Sequence, residues 1–255
     1  MKQQITQYAE ILDNAARDAE AIAQFSSNHG ISLDEAYLIQ KESIKRRHAR
    51  GERPVGLKLG FTSKAKMEQM GVHDLIWGRL TDKMQIDDGG ELVLEDFIHP
   101  RAEPEIAFLI KKDIEEPVDD SNVNRYISKM TAAIEVIDSR FKDFKFTLED
   151  VVADNCSSAA FVLGNWRDFL NDIADLEITL EINDEIVEKG NSSAILGNPV
   201  ASFIEAARLA RQNEVVLKKD MIVLAGAATP AIYLKQGNRV KVEVERLGSV
   251  VFNVN

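Results

Sequence analysis

The sequence has a single cysteine, Cys156, among 255 residues. No disulfide can form within the chain, and a reducing compartment is the expected setting. Positive charge is also in short supply: 31 Lys and Arg stand against 42 Asp and Glu, a formal net charge of −11. This argues against nonspecific binding to nucleic acid or to an anionic membrane, both of which need basic patches. It leaves room for an anionic substrate, because a bound metal ion inverts the local charge. No apolar run approaches the roughly 20 residues that span a bilayer. Met1-Lys2-Gln3-Gln4-Ile5 lacks the apolar core of a signal peptide, so a cytoplasmic protein is expected. The four histidines, His29, His48, His73 and His99, show no ligand spacing. A glycine-rich phosphate loop and a Gly-x-Ser-x-Gly elbow are both missing.

A hydrophobic content of 45% is enough for a substantial core, and the length suits one large domain or two small ones. Apolar residues recur at helical spacing over residues 5–23. After the break at Asn28-His29-Gly30, Ser32-Leu33-Asp34-Glu35 reads as a capping box opening a second helix. That helix ends in the basic run Lys45 to Arg50, which suits the negative pole of a helix dipole and reads as a solvated terminus. From residue 54 the texture changes. Val55 to Phe61 reads as a strand, and Ser63 to Met70 as a short helix closed by Gly71. Strand-like runs follow at 92–94, 105–110, 132–137, 159–163, 177–182, 221–225 and 240–252, with one helix at 199–212. The expected fold class is α+β: a helical N-terminal segment, residues 1–53, capping a mostly β domain, residues 54–255.

Three glutamates stand out. Glu103 and Glu105 flank Pro104 ahead of the apolar run Ile106 to Ile110, and Glu135 interrupts Ala132-Ala133-Ile134-Glu135-Val136-Ile137. A buried ionised carboxylate without a partner is costly or takes up a proton. Two such charges about 4 Å apart repel by roughly 4 kcal/mol at an effective dielectric near 20. A divalent cation relieves both problems, and an all-oxygen set favours Mg²⁺ or Mn²⁺ over zinc. The spacing of two puts Glu103 and Glu105 on one face of a strand, with Pro104 marking a strand start or edge. Spacing alone leaves a plainer alternative open: Glu103 and Glu105 as surface residues, with Glu135 paired to Arg140 or a lysine.

Lys58 alternates with Leu57 and Leu59, and Gly56 and Gly60 leave room for a close neighbour. It suits a proton donor, a carbonyl-polarising cation or a Schiff-base amine. By the residues alone, a lysine snorkelling from an edge strand fits better. Asp154-Asn155-Cys156-Ser157-Ser158 reads as a turn facing a site, or simply as a turn bonding its own backbone. Cys156 within it reads as a buried small residue rather than a nucleophile.

Several segments together resemble a known family. They are Leu57 to Lys66, Met70-Gly71-Val72, Arg101 to Glu105, Glu135 to Arg140, Val152 to Asn155 and Leu247-Gly248-Ser249-Val250. In this order they resemble the 2-keto-4-pentenoate hydratase and 4-oxalocrotonate decarboxylase group of the fumarylacetoacetate hydrolase superfamily. The resemblance implies a β-roll-like catalytic domain. It implies that Glu103, Glu105 and Glu135 bind Mg²⁺ or Mn²⁺ and that Lys58 lies beside a bound 2-oxo acid.

Hydratases of the group carry an acidic residue two positions before the glycine of the segment that here reads His73-Asp74-Leu75-Ile76-Trp77-Gly78. Ile76 occupies that position, which resembles the decarboxylases, as does the loop Ala225-Gly226-Ala227-Ala228-Thr229. The implied substrate is the small 2-oxo dicarboxylate 2-oxo-3-hexenedioate, chelated to the ion and losing its distal carboxylate to give 2-hydroxypenta-2,4-dienoate in aromatic meta-cleavage catabolism. Ile76 would desolvate the departing group, and Ser157 and Thr229 would contact substrate. Arg140 would bind a carboxylate or hold Asp138 or Glu135. A homo-oligomer and a complex with the pathway hydratase are the expected partners. Rival readings are the hydratase itself, an acylpyruvate-type hydrolase (for which no His-Glu pair stands out) and a non-catalytic partner of the hydratase.

Overall fold

The computed structural model describes residues 2–25, 30–62 and 75–255. The expected short helix at Ser63 to Met70, Gly71, the His73-Asp74 pair and His29 lie outside the described residues. The chain opens with two helices, α1 (Lys2–Asp18) and α2 (Leu33–Ala49). The capping box forms as expected: Glu35 N donates to Ser32 Oγ at 3.3 Å, and Ser32 N donates to Glu35 Oε2 at 2.8 Å. The basic end of α2 is not a solvated terminus. Arg46 and Arg50 converge on Asp13 of α1, at 3.0 Å and 2.6 Å, and Asp13 is only 2% exposed. Burial alone would raise this carboxyl, but hydrogen bonds from Arg50 and Arg46 outweigh it and hold it below its usual value.

The rest is mostly β, as expected. One sheet takes its strands in the order β2 (Ile76–Thr81), β1 (Pro54–Gly60), β11 (Ile222–Leu224), β5 (Arg101–Ile110), β6 (Ile127–Ile137), β7 (Ser158–Leu163), β3 (Gln85–Ile86). Two short strands extend it: β12 (Ile232–Tyr233) beside β5 and β8 (Arg167–Asp168) beside β6. The second sheet runs β10 (Glu185–Asn191), β9 (Glu177–Ile182), β13 (Arg239–Val244), β14 (Gly248–Val254), β4 (Glu91–Leu92). The single run expected at 240–252 is thus a hairpin, β13 and β14, and the run at 92–94 turns into a 3₁₀ turn after Leu92. Among the described residues two further helices follow, α3 (Leu148–Ala153), which was not anticipated, and α4 (Pro199–Gln212), which was.

Strands β5 and β6 pair antiparallel over their length, with Glu103 opposite Glu135 and Glu105 opposite Ala133. Side chains alternate between the two faces of such a pair. On one face Ala102, Ile106, Phe108, Ile134 and Val136 join Leu57, Leu59, Val240, Val242 and Phe252 in the main core between the sheets. The other face carries the glutamates and continues into a small apolar cluster of Ala107, Ala133, Phe161 and Leu224. Burying one face completely fixes the register, since a one-residue slip would send the carboxylates into the main core.

Pro104 is neither a strand start nor at a sheet edge. It lies inside β5, opposite Ile134. Its carbonyl accepts from Ala228 N at 3.0 Å, so its nitrogen faces the gap between β11, which pairs with Ala107 to Leu109, and β12, which pairs with Arg101 and Ala102. No ladder donor is needed there, which is how a central strand tolerates proline.

Candidate metal centre

Glu103, Glu105 and Glu135 converge, each offering a carboxylate oxygen within 4.8 Å of the others. Glu105 and Glu135 are fully buried and Glu103 is 7% exposed. Lys58 comes from β1, which lies between β2 and β11 and so is not an edge strand. It does not snorkel: it is 3% exposed, and its Nζ lies 2.9 Å from Glu135 Oε2. Burial works against the ammonium charge, but Glu135, with Glu103 and Glu105 behind it, outweighs burial and raises Lys58 above its ordinary value.

The remaining partners were not singled out from the sequence. Ser158 Oγ donates to Glu135 Oε1 at 2.8 Å, and Gly226 N donates to Glu105 Oε2 at 2.8 Å. Gly226 has φ +105°, and a Cβ there would sit 2.3 Å from Thr62 Oγ1. Only glycine fits this bend, and the bend aims the amide at the carboxylate. The signal available in the sequence was Gly226 within a small-residue loop, but its target was invisible. Glu105 Oε1 is buried with no hydrogen-bond partner among the described residues. Burial first, then the charge of Glu135, lifts Glu105 well above the usual carboxylate range. Burial lifts Glu135 as well, against the pull of Lys58.

The residue set fits a hard divalent cation. Three carboxylates and one ammonium sum to −2 when ionised, which an ion of charge +2 neutralises, and the orphaned oxygen of Glu105 would gain a partner.

Above the triad lies a cavity of about 560 Å³ whose lining includes Lys58, Glu103, Ile76, Cys156, Ser157 and Arg101. Asn155, Cys156 and Ser157 all have left-handed φ, between 50° and 58°. The turn is held in place by Asn155, whose side chain accepts from Arg79 N at 2.7 Å and donates to Arg79 O at 2.9 Å, as a strand partner would. Ser157 Oγ, on the cavity wall, has no hydrogen-bond partner among the described residues. Cys156 Sγ donates to Trp77 O at 3.1 Å, and burial pushes its thiol up to about 12. Ile76 stands opposite Gly60 and is 4% exposed. Gln24, from the segment after α1, also reaches the cavity.

Two expected residues take other places. The Thr229 hydroxyl donates to Pro230 O at 3.2 Å, its methyl lies near Gly190, and it is not part of the cavity lining. Arg140 holds neither Asp138 nor Glu135. Its Nε donates to Asp154 Oδ1, its backbone N to Asp154 Oδ2 at 2.9 Å and its Nη2 to Asp154 O at 2.6 Å. Asp138 instead accepts from the backbone N–H groups of Ile98 and His99, at 2.9 Å and 2.8 Å. Arg140 therefore anchors the turn at 154–157 rather than a ligand.

A curled β domain that gathers three carboxylates beside a cavity lined by one of them, Glu103, and by Lys58 defines the class: an enzyme built around a divalent cation. The chain belongs to the fumarylacetoacetate hydrolase family, whose C-terminal domain model matches residues 80–255. A 4-oxalocrotonate decarboxylase of Pseudomonas sp is 45% identical over 249 residues, covering 98% of this chain and 97% of that one. A 2-hydroxyhexa-2,4-dienoate hydratase of Comamonas testosteroni is 32% identical over 97% of this chain and 96% of its own. The solved 4-oxalocrotonate decarboxylase from Pseudomonas putida G7, complexed with magnesium and adipate, superposes with a TM-score of 0.96 at 34% identity, covering 100% of this chain and 98% of that one.

Proposed function

We propose that this chain is a divalent-metal-dependent decarboxylase that converts 2-oxo-3-hexenedioate (4-oxalocrotonate) into 2-hydroxypenta-2,4-dienoate and CO₂, a lyase step of aromatic meta-cleavage catabolism. The observation that carries it is one cavity lined by Lys58 and Glu103, with Glu105 and Glu135 buried beside them, and by the apolar Ile76. Glu103, Glu105 and Glu135 would hold Mg²⁺ or Mn²⁺. When bound there, the ion supplies Lewis acidity toward the 2-oxo acid end of the substrate.

The rest falls to the side chains. Lys58, kept charged by Glu135, donates a hydrogen bond to the substrate's C2 oxygen. As the bond between C5 and the departing carboxylate breaks, its electron pair shifts through the conjugated chain to that oxygen, and Lys58 supplies the proton that makes the enol. Ile76 excludes water beside the departing group and offers no acid for adding water to the diene. Ser157, whose hydroxyl has no hydrogen-bond partner among the described residues, would bond substrate, whereas the Thr229 hydroxyl makes a turn contact with Pro230 O. The division into a cap, residues 1–53, and a catalytic domain, residues 54–255, belongs to the same proposal, as do a cytoplasmic setting, a homo-oligomer and association with the pathway hydratase. Among the described residues no helix is long and apolar enough to cross a membrane.

A mass-resolved product assay tests the proposal. The Mg²⁺-loaded protein should release CO₂ from 4-oxalocrotonate and leave 2-hydroxypenta-2,4-dienoate unhydrated. Hydration of the dienoate without decarboxylation would make the chain a hydratase and remove the role given to Ile76.

A further inference from the structure

Arg101 opens β5 two residues before Glu103. The two side chains therefore leave the same face of the strand, separated along it by about 7 Å. Its guanidinium is clasped between two rings. The guanidinium carbon lies 3.8 Å from the centroid of Phe144 and 4.0 Å from that of Tyr233, and Nη2 donates to the Tyr233 hydroxyl oxygen. Phe144 reaches it from a loop in which Asp143 and Phe144 both take left-handed φ, +58° and +57°. That conformation costs about 1–2 kcal/mol per residue outside glycine, so the stack is held in place by the surrounding structure. Among the described residues the contacts of the Arg101 guanidinium are to Phe144 and Tyr233 rather than to a carboxylate, and its Nε is buried without an acceptor. Stacking fixes the plane of a guanidinium without neutralising it, which leaves its in-plane donors for a carboxylate.

Arg101 lines the same cavity as Lys58 and Glu103. The floor of that cavity would take the 2-oxo acid end of the substrate. Five carbon–carbon bonds in zigzag carry a six-carbon chain roughly 6 Å from one carboxyl carbon to the other, which matches the separation along β5. We infer that Arg101 is a specificity-determining residue that binds the distal carboxylate of the substrate, the group that departs as CO₂. The assignment rests on the decarboxylase reading above. An ion pair to a carboxylate weakens as neutral CO₂ forms, so Arg101 contributes to substrate binding more than to the chemical step.

Two unreactive ligands with the same head group isolate the effect: 2-oxohexanedioate and 2-oxohexanoate, which differ only in the distal carboxylate. Calorimetry on the Mg²⁺-loaded full chain should show the dicarboxylate binding roughly tenfold to a hundredfold more tightly, the worth of a charged hydrogen bond. In Arg101→Met the ratio should fall close to one, with affinity for 2-oxohexanoate and for Mg²⁺ retained. Arg101→Gln provides the same comparison if the methionine variant does not fold. An unchanged ratio, an equal loss for both ligands, or a wild-type protein without preference would overturn the assignment. A wild-type protein that selects the dicarboxylate through Arg101 yet releases no CO₂ from 4-oxalocrotonate leaves the assignment standing and removes the decarboxylase reading instead.

Discussion

Glu103 and Glu135 stand directly opposite one another on adjacent antiparallel strands, buried at 7% and 0% exposure. Like charges in that arrangement destabilise a sheet. Lys58 reaches Glu135 at 2.9 Å, while Glu105 Oε1 stays buried with no hydrogen-bond partner among the described residues. The site is thus built at the expense of the metal-free fold, and the consequences are measurable.

The first concerns pH. Burial and the charge of Glu135 raise Glu105, and burial raises Glu135 despite Lys58. A carboxyl raised in the folded state contributes its full stability below its unfolded value and loses it as pH climbs through the folded value. The metal-free protein should therefore weaken as pH rises above the ordinary carboxylate range, and Mg²⁺ should restore it by displacing protons. The rise in Tm on adding Mg²⁺ to EDTA-treated protein should be larger at pH 8 than at pH 5.5. Calorimetry in buffers of different ionisation enthalpy should register proton release. A pH-independent Tm rise would place the ion elsewhere.

Lys58→Met should remove the only cation paired with Glu135 among the described residues. Breaking a buried ion pair costs about 3–5 kcal/mol, less where the stranded acid takes up a proton. Urea unfolding should show a loss in the lower part of that range, and kcat should drop by about 10²–10⁴. Adding Glu135→Gln should recover stability but not turnover. A Lys58→Met enzyme with undiminished kcat would take Lys58 out of the mechanism.

Gly78 lets the turn at 154–157 close over Lys58. A Cβ at this position would lie 2.6 Å from Asn155 O and 3.2 Å from Lys58 Cγ. Gly78→Ala should destabilise the protein by about 1–3 kcal/mol, as overpacking does, and lower kcat by displacing the lysine. Wild-type urea midpoint and kcat in this variant would show that the approach is not needed.

Cys156 lines the cavity yet should be chemically silent. Burial pushes its thiol up to about 12, so almost no thiolate exists near neutral pH. A chromogenic disulfide reagent at pH 8 should find no reactive thiol in the native protein and one after unfolding in urea. Rapid labelling of the native protein would contradict this.

Much of the β framework could be read locally, because burial of alternate positions is written as period-two alternation and helix starts as capping residues. Ser32 with Glu35 and the pair Glu103 and Glu105 are cases where the spacing alone decides the geometry. Other readings needed partners distant in sequence. Lys58 resembled an edge-strand lysine because nothing near it shows that β11, more than 160 residues later, covers β1 in parallel. Pro104 resembled a strand end because the gap between β11 and β12 that spares its missing N–H is a feature of sheet order. Arg46 and Arg50 resembled a solvated terminus until Asp13, 33 and 37 residues earlier, was brought beneath them.

What the sequence determined by itself is the chemistry available. Three carboxylates bordering or interrupting apolar strands offer an oxygen ligand set for a cation, one cysteine forbids an internal disulfide, and Ile76 stands where the resemblance puts an acidic residue in the hydratases. What only the tertiary structure decided is which of these groups meet. The register of β5 against β6 sets Glu103 opposite Glu135. The parallel pairing of β1 with β11 turns Lys58 inward, and a left-handed loop lays Phe144 on Arg101. Each depends on packing between segments far apart in the chain, and the free energy that selects such pairings comes from burying whole faces of sheets, which no local pattern encodes.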